Sequence, residues 1–134
     1  MKPYQAVGYK MLQATSVTSI VSTRVYHGLR PTGDTLPAIN YFELGGGTRT
    51  FGIEYQPFSI NCRAATAGAA RNLARAVITL FAGDYGTGTY GTQNGFSVAR
   101  ASLGADQGLV PEPEEGVFNA PVDITLVYDV DTIS

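Results

Sequence analysis

The chain of 134 residues has little of what most catalytic and metal sites are built from. It contains one cysteine, Cys62, one histidine, His27, and no tryptophan. A single cysteine excludes an internal disulfide framework and a multi-cysteine zinc site, and a single histidine excludes a site built on a histidine pair. No apolar run approaches the roughly 20 residues of a membrane span, and the segment MKPYQAVGYKMLQ lacks the apolar stretch of a signal peptide. We therefore expect one soluble domain, residues 1–134, made in the cytoplasm.

The chain also has few charges, and they are unevenly spread. Charged residues make up 15% of it, against about 25% in ordinary globular proteins, while glycine accounts for 16 of the 134 residues. Residues 1–100 hold all nine lysines and arginines with four acids, a balance of +5, whereas residues 101–134 hold seven acids and no base, a balance of −7. Such a split is typical of a charged tail or a partner-facing surface.

Two main helices are predicted. Residues 3–14 begin with a proline suited to a first helical turn and carry apolar side chains at helical spacing. A short second helical turn follows from Ser16. Residues 66–82 form the longer helix, whose apolar stripe consists of Ala70, Leu73, Ala74, Val77, Leu80 and Phe81.

Five strands are predicted, at residues 24–27, 38–44, 51–63, 96–103 and 122–131. The apolar phase of the third strand changes along its length, and a bulge at Gln56–Pro57 would restore it. A hairpin tip with Arg49 exposed is expected before that strand, at residues 45–50. The connections after the long helix are a glycine-rich loop, 83–95, and an acidic segment, 104–116.

The resulting order is α-β-β-β-α-β-β. Strands linked by hairpins, with only two main helices, predict an α+β domain: a mostly antiparallel sheet with both helices packed on one face. In the last strand, apolar residues from Val122 to Val130 alternate with polar ones. This pattern indicates a half-buried strand, on whose wet face Asp123, Asp129 and Asp131 lie with Thr125.

The glycine-rich loop contains the spacing G-x-G-x-x-G at residues 86–91. A dinucleotide site needs that spacing after a strand and at the start of a helix. Here it follows a helix and precedes a strand, so an ordinary loop is the interpretation we favour. Tyr85 and Tyr90 in this loop are candidates for anchoring a partner surface.

No residue of the chain is predicted to be catalytic, to hold a cofactor or to bind a metal. His27 has no nucleophile or orienting carboxylate in a local motif, and Cys62 fits the apolar phase of a strand. The glutamates of PEPEEG, at residues 111–116, lack the layout of a calcium loop. The arginines are scattered without interleaved aromatic residues, which disfavours direct nucleic-acid binding.

The order of elements and several short motifs together resemble a known family. These motifs are Thr23-Arg24-Val25-Tyr26, Leu36-Pro37-Ala38-Ile39, Ala69-Ala70-Arg71-Asn72-Leu73 and Thr125-Leu126-Val127-Tyr128-Asp129. Over nearly its full length the chain is similar to the tail completion or tail terminator proteins of long-tailed bacteriophages and prophages. The loop at residues 83–95 is longer than expected for that family.

The resemblance implies a structural virion protein at the head-proximal end of the tail, and not an enzyme. Such proteins assemble as hexameric rings that cap the tail tube, stop its polymerisation and join the head. The implied partners are further copies of the chain, the tail tube protein and a head–tail connector protein, with DNA passing through the lumen. Another connector or minor tail subunit, or a small ligand-binding domain or enzyme, remains an alternative.

The residues suggest where a ring of this kind would make contact. The candidate subunit or partner interface comprises Arg49, Tyr85, Tyr90, Asp123 and Asp129. The acidic face of the last strand is expected either against a basic neighbour or along the lumen, where it would repel DNA phosphates.

Overall fold

The computed structural model describes residues 3–28, 35–45, 47–50, 52–83, 92–93, 96–103, 110–111 and 116–129. Its helices are α1 (Pro3–Leu12), α2 (Thr15–Val21) and α3 (Ala67–Gly83). Its strands are β1 (Val25–His27), β2 (Ala38–Glu43), β3 (Thr48–Thr50), β4 (Ile53–Ala64), β5 (Thr92–Gln93), β6 (Phe96–Leu103), β7 (Val110–Pro111) and β8 (Phe118–Asp129).

The centre of the sheet is the antiparallel pair of β4 and β8, which runs without interruption from Ile53 opposite Asp129 to Ala64 opposite Phe118. The other edge of β4 pairs with β2 and β3, and the other edge of β8 pairs with β6 and β7. β1 extends the sheet beyond β2 as its one parallel pair among the described strands, and β5 extends it beyond β6. The predicted α+β class and mostly antiparallel sheet are confirmed.

All three helices pack on one face of this sheet. Alternate residues of β4 from Phe58 onward and of β8 lie on that face and enter the core. The shared core contains Val7, Met11, Val17, Val21, Ile39, Tyr41, Phe58, Ile60, Cys62, Leu73, Val77, Phe81, Val122, Ile124, Leu126 and Tyr128. We call the opposite side the helix-free face.

The longest helix begins at a side-chain cap. The backbone N–H of Ala69 donates to Thr66 Oγ1 at 3.1 Å, which satisfies one of the amide groups that a helix start leaves unpaired. α3 then packs its apolar stripe on β4 and β8. The predicted helix at residues 66–82 is confirmed, with Thr66 as the capping residue before it.

The predicted bulge at Gln56–Pro57 is wrong, because the pairing of β4 with β8 continues through both residues. Leu44 N–H donates to the carbonyl of Pro57 at 2.9 Å, so the proline nitrogen faces the same edge and has no hydrogen to return to Leu44. Gln56 Nε2 donates to the Leu44 carbonyl instead, at 3.0 Å. A side-chain amide thus replaces the missing backbone donor.

The apolar side chains of β4 therefore lie on one face of the sheet in the first part of the strand and on the other face in the second part. With no extra residue in β4, alternation places Ile53 and Tyr55 on the helix-free face and Phe58 on the helix-covered face. A register shift does occur among the described strands, but in β6, between Val98 and Arg100.

The predicted hairpin tip at residues 45–50 is also displaced. Thr48–Thr50 form β3 and pair back on β4, with Thr50 opposite Ile53. The chain therefore reverses between Thr50 and Ile53, where Gly52 has φ +80°, a conformation that glycine adopts without strain. Two short strands, β5 and β7, lie in segments predicted to be loops, and the last strand begins four residues earlier than predicted.

Candidate functional site

Arg49 lies on β3 and is paired across the hairpin. Its Nη2 is 2.8 Å from Glu54 Oε2, with the Arg49 side chain 62% exposed and the Glu54 side chain 19% exposed. Glu54 also hydrogen-bonds Tyr128, and burial followed by this contact raises the pKa of the Tyr128 hydroxyl. The prediction that Arg49 is exposed is confirmed. The partner is Glu54, which the sequence analysis did not identify although cross-strand charge pairs are common next to a tight reversal.

Asp123 and Asp129 occupy β8, opposite Ser59 and Ile53 respectively. Strand alternation places both positions on the helix-free face, where Asp123 is half-buried. Arg49 aligns with Glu54 and the buried Tyr128, so it lies on the other side of the sheet. The structure therefore does not bring Arg49 together with Asp123.

The remaining interface candidates, Tyr85 and Tyr90, lie outside the described residues. The same holds for Asp131 and for the glutamates of the segment 112–115.

The helix-free face carries buried polar side chains that the sequence analysis missed. Asn40, Ser59, Asn61 and Asn119 are at most 6% exposed. Asn119 Nδ2 donates to Asn61 Oδ1 at 2.8 Å, and Arg63 Nε donates to Asn40 Oδ1 at 2.6 Å. Buried polar contacts therefore lie on three neighbouring strands of this face, in addition to the residues 122–131 for which a wet face was predicted.

His27 has the carboxylate neighbour that no local motif supplies. Its Nε2 lies 2.5 Å from Glu43 Oε1, and its ring stacks on Tyr4 with centroids 4.2 Å apart. This pair places a carboxylate beside the imidazole, yet neither the Tyr41 hydroxyl nor the Cys62 thiol is an activated nucleophile. Burial raises the pKa of the Cys62 thiol to about 12 in the core, and burial together with Glu43 raises the pKa of Tyr41 to about 12.

The Tyr41 hydroxyl instead joins helix α1 to the sheet. It donates to the backbone carbonyl of Tyr4 at 2.8 Å and accepts a hydrogen bond from the backbone N–H of Gly8. These are the two groups that one turn of an α-helix pairs with each other. Space for the hydroxyl exists because residue 8 has no side chain, and the contact therefore fixes α1 on β2.

The described part of the chain has neither a clustered metal site nor a membrane-spanning helix. It contains no group of three or more histidine, cysteine, aspartate or glutamate side chains placed to hold a metal ion. No helix within it is long and apolar enough to cross a membrane.

Comparison with known proteins gives one finding about the fold. No protein-family model matches the sequence, and no curated protein matches it. The fold is similar to that of a chain in a solved structure described as the virion of a native gene transfer agent particle, with a TM-score of 0.63 and 14% identity. The similarity covers 93% of this chain and 93% of that chain, so the two share the whole fold.

Proposed function

We propose that this chain is a structural protein of a phage-like virion, which forms a ring that caps the tail tube and ends its polymerisation. The observation that carries the proposal is the fold shared over 93% of both chains with a component of a gene transfer agent virion. The order of elements that resembles tail terminator proteins, now present as three helices on one face of the sheet, supports the same role.

The surface chemistry is compatible with assembly into a closed ring. A ring is built from heterologous contacts, in which one patch of a subunit meets a different patch of the next. Phe42, 38% exposed, lies on the helix-free face, and Ile78, also 38% exposed, lies on α3 across the sheet. One partly exposed apolar side chain therefore lies on each side of the sheet, where a heterologous contact could bury it.

A structural role also fits the polar clusters better than catalysis does. The His27–Glu43 pair is stacked on Tyr4, and the nearby Tyr41 hydroxyl is already engaged by the backbone of α1. Glu54, which hydrogen-bonds Tyr128, also forms an ion pair with Arg49. Each cluster joins one element to another, as a scaffold requires.

The decisive experiment removes the gene from a phage or prophage that carries it and measures tail length by electron microscopy. A tail terminator predicts tails that are longer than normal and lack heads, with both defects reversed by the wild-type gene. Tails of normal length without heads would assign the chain to another connector position instead. Normal, infectious particles would contradict a structural role altogether.

The acidic strand β8 allows a second test within the same system. If its polar positions face a basic neighbour or the lumen, reversing the charge of Asp123 and Asp129 should impair ring assembly or DNA passage. A control, Gln13→Lys with Ser19→Lys, adds positive charge at exposed positions outside the sheet. Particles with wild-type yield and DNA content in the Asp123 and Asp129 variant would remove β8 from the proposed interface.

A further inference from the structure

The outward face of α3 carries two arginines that have no partner in the described part of the chain. Arg71 and Arg75 are exposed and lie one turn apart. Neither guanidinium makes a hydrogen bond or an ion pair with any described residue. Ile78, on the next turn of the same side, is 38% exposed. We call these three residues the α3 arginine stripe.

The stability of the helix does not account for this stripe. Like charges four residues apart disfavour an isolated helix by about 0.2–0.5 kcal/mol. α3 contains no acidic residue to offset them. The side of α3 that stabilises the fold is the opposite one, where Leu73, Val77 and Phe81 are buried. The two arginines therefore add nothing to folding that a neutral side chain would not supply.

Arginine is suited to binding carboxylates on another protein. Its planar guanidinium forms paired hydrogen bonds with a carboxylate, and arginine is enriched in protein interfaces. The chain itself provides the complementary charge, because residues 101–134 contain seven acids and no base. Three of those acids fall within the segment 112–115.

We propose that the α3 arginine stripe docks on the acidic C-terminal third, residues 101–134, of a neighbouring copy of this chain. The inference rests on the proposed function, since a ring needs a contact between two different patches of the same subunit. Charge complementarity between +5 and −7 parts of one chain would orient successive subunits head to tail.

A nucleic acid is a poorer fit to the same surface. Stable binding to DNA typically neutralises about 6–10 phosphates, whereas the stripe offers two guanidinium groups in line with an apolar side chain. Burial of the Ile78 side chain against a protein would stabilise the complex, whereas a phosphate backbone offers it no apolar contact. Binding of DNA is therefore an outcome that the experiment must be able to detect.

The experiment measures the assembly of the full chain by light scattering over a range of concentrations. Arg71→Gln with Arg75→Gln should raise the concentration needed for assembly about tenfold, which corresponds to two exposed charge contacts. The matched control, Gln13→Glu with Ser19→Glu, makes the same change of net charge on exposed positions of the chain. The control should assemble like the wild type, and circular dichroism should show that all variants are folded.

A charge exchange identifies the occupant. The variant Arg71→Glu with Arg75→Glu should fail to assemble alone, and so should Glu112→Lys with Glu114→Lys and Glu115→Lys. A single chain carrying all five substitutions should assemble again, because the two patches remain complementary. Loss of assembly without recovery in the combined variant would overturn the assignment to the acidic third.

Three other outcomes also overturn the inference. In the first, the variant Arg71→Glu with Arg75→Glu assembles like the wild type. In the second, the wild type stays monomeric at the highest concentration it tolerates. In the third, the variant assembles normally and loses only the ability to shift a DNA fragment on a gel. None of these outcomes changes the result of the tail-length experiment, which tests the proposed function separately. Normal rings with normal tail lengths in the arginine variant would leave that function intact and remove this interface.

Discussion

Replacing Gly8 by alanine tests how α1 is attached to the sheet. A Cβ added at Gly8 would lie 2.3 Å from the Tyr41 hydroxyl oxygen and 3.2 Å from the ring carbon that bears it. The Tyr41 ring would have to move, although it is only 5% exposed and its hydroxyl is held by the backbone of Tyr4 and Gly8. We therefore expect this substitution to break both hydrogen bonds.

The expected magnitude is the difference between opposing effects. Alanine in place of glycine inside a helix raises stability by about 0.5–1 kcal/mol. Losing two hydrogen bonds lowers it by about 1 kcal/mol each, and overpacking a fitted site by a further 1–3 kcal/mol, approximately. Gly8→Ala should therefore lower the free energy of unfolding by about 2–4 kcal/mol, the net of these effects.

The assay is urea denaturation followed by circular dichroism. Gly68→Ala is the matched control, because Gly68 is exposed in the first turn of α3 and a Cβ there meets nothing within 4 Å. The control should be neutral or stabilising by up to about 1 kcal/mol. Tyr41→Phe removes the clashing oxygen, so Gly8→Ala should cost less in the Tyr41→Phe background than in the wild type. Equal costs in the two backgrounds, or stabilisation by Gly8→Ala itself, would refute the reasoning.

Three further predictions follow from burial and hydrogen bonding. The raised pKa of Tyr41 favours folding only while the unfolded tyrosine is protonated, so Tyr41 by itself should lower the free energy of unfolding by about 2–3 kcal/mol between pH 10 and pH 12. The raised pKa values of Cys62 and Tyr128 act in the same direction, so a pH series of denaturant titrations should show a fall that is smaller in Tyr41→Phe than in the wild type by about the contribution of Tyr41. Gln56→Ala removes the donor to the Leu44 carbonyl and should lower stability by about 1 kcal/mol, whereas an unchanged denaturation midpoint would show that the contact is dispensable. Leu73→Ala should cost about 2–5 kcal/mol from the core, while Ile78→Ala on the exposed side of the same helix should stay within about 0.5 kcal/mol; similar midpoints for the two would contradict the assigned faces.

The parts of the fold that sequence predicts well are those with strong periodicity. Helix α3 has a continuous apolar stripe and a capping threonine, and β8 alternates apolar and polar residues over most of its length. Both follow from local pattern alone, because each element buries one face against the same core. The α+β class follows from their order along the chain.

The errors occurred where a contact with a distant part of the chain changes a local rule. Pro57 normally indicates a bulge or an edge, but the Gln56 amide supplies the missing hydrogen bond to Leu44 and leaves the strand regular. Nothing in the sequence around Pro57 shows that Leu44 will be the neighbour. The short strands β5 and β7 were missed for a similar reason, since two residues have no periodicity to detect.

The candidate site was predicted less well than the fold, because contacts between strands depend on register. Arg49 was correctly placed on the surface, yet its pairing with Glu54 requires knowing that the chain reverses between Thr50 and Ile53. The asparagines of the helix-free face lie far apart in sequence and meet only through the pairing of β2, β4 and β8. The alternation in the last strand therefore gave no prediction for these asparagines, which are buried.

This burial bears on which role the acidic strand face could serve in a ring. Repelling DNA across a lumen requires exposed charges whose field extends over a Debye length of about 8–10 Å of salt solution. Asp123 is half-buried and lies opposite the buried Ser59, so it presents only part of its carboxylate to solvent. A partly buried carboxylate is stabilised most by a cationic side chain that hydrogen-bonds it directly. Asp123 by itself would therefore be a weak lining for the lumen of the proposed ring, and the charge reversal of Asp123 with Asp129 tests whether this strand face meets a basic neighbour instead.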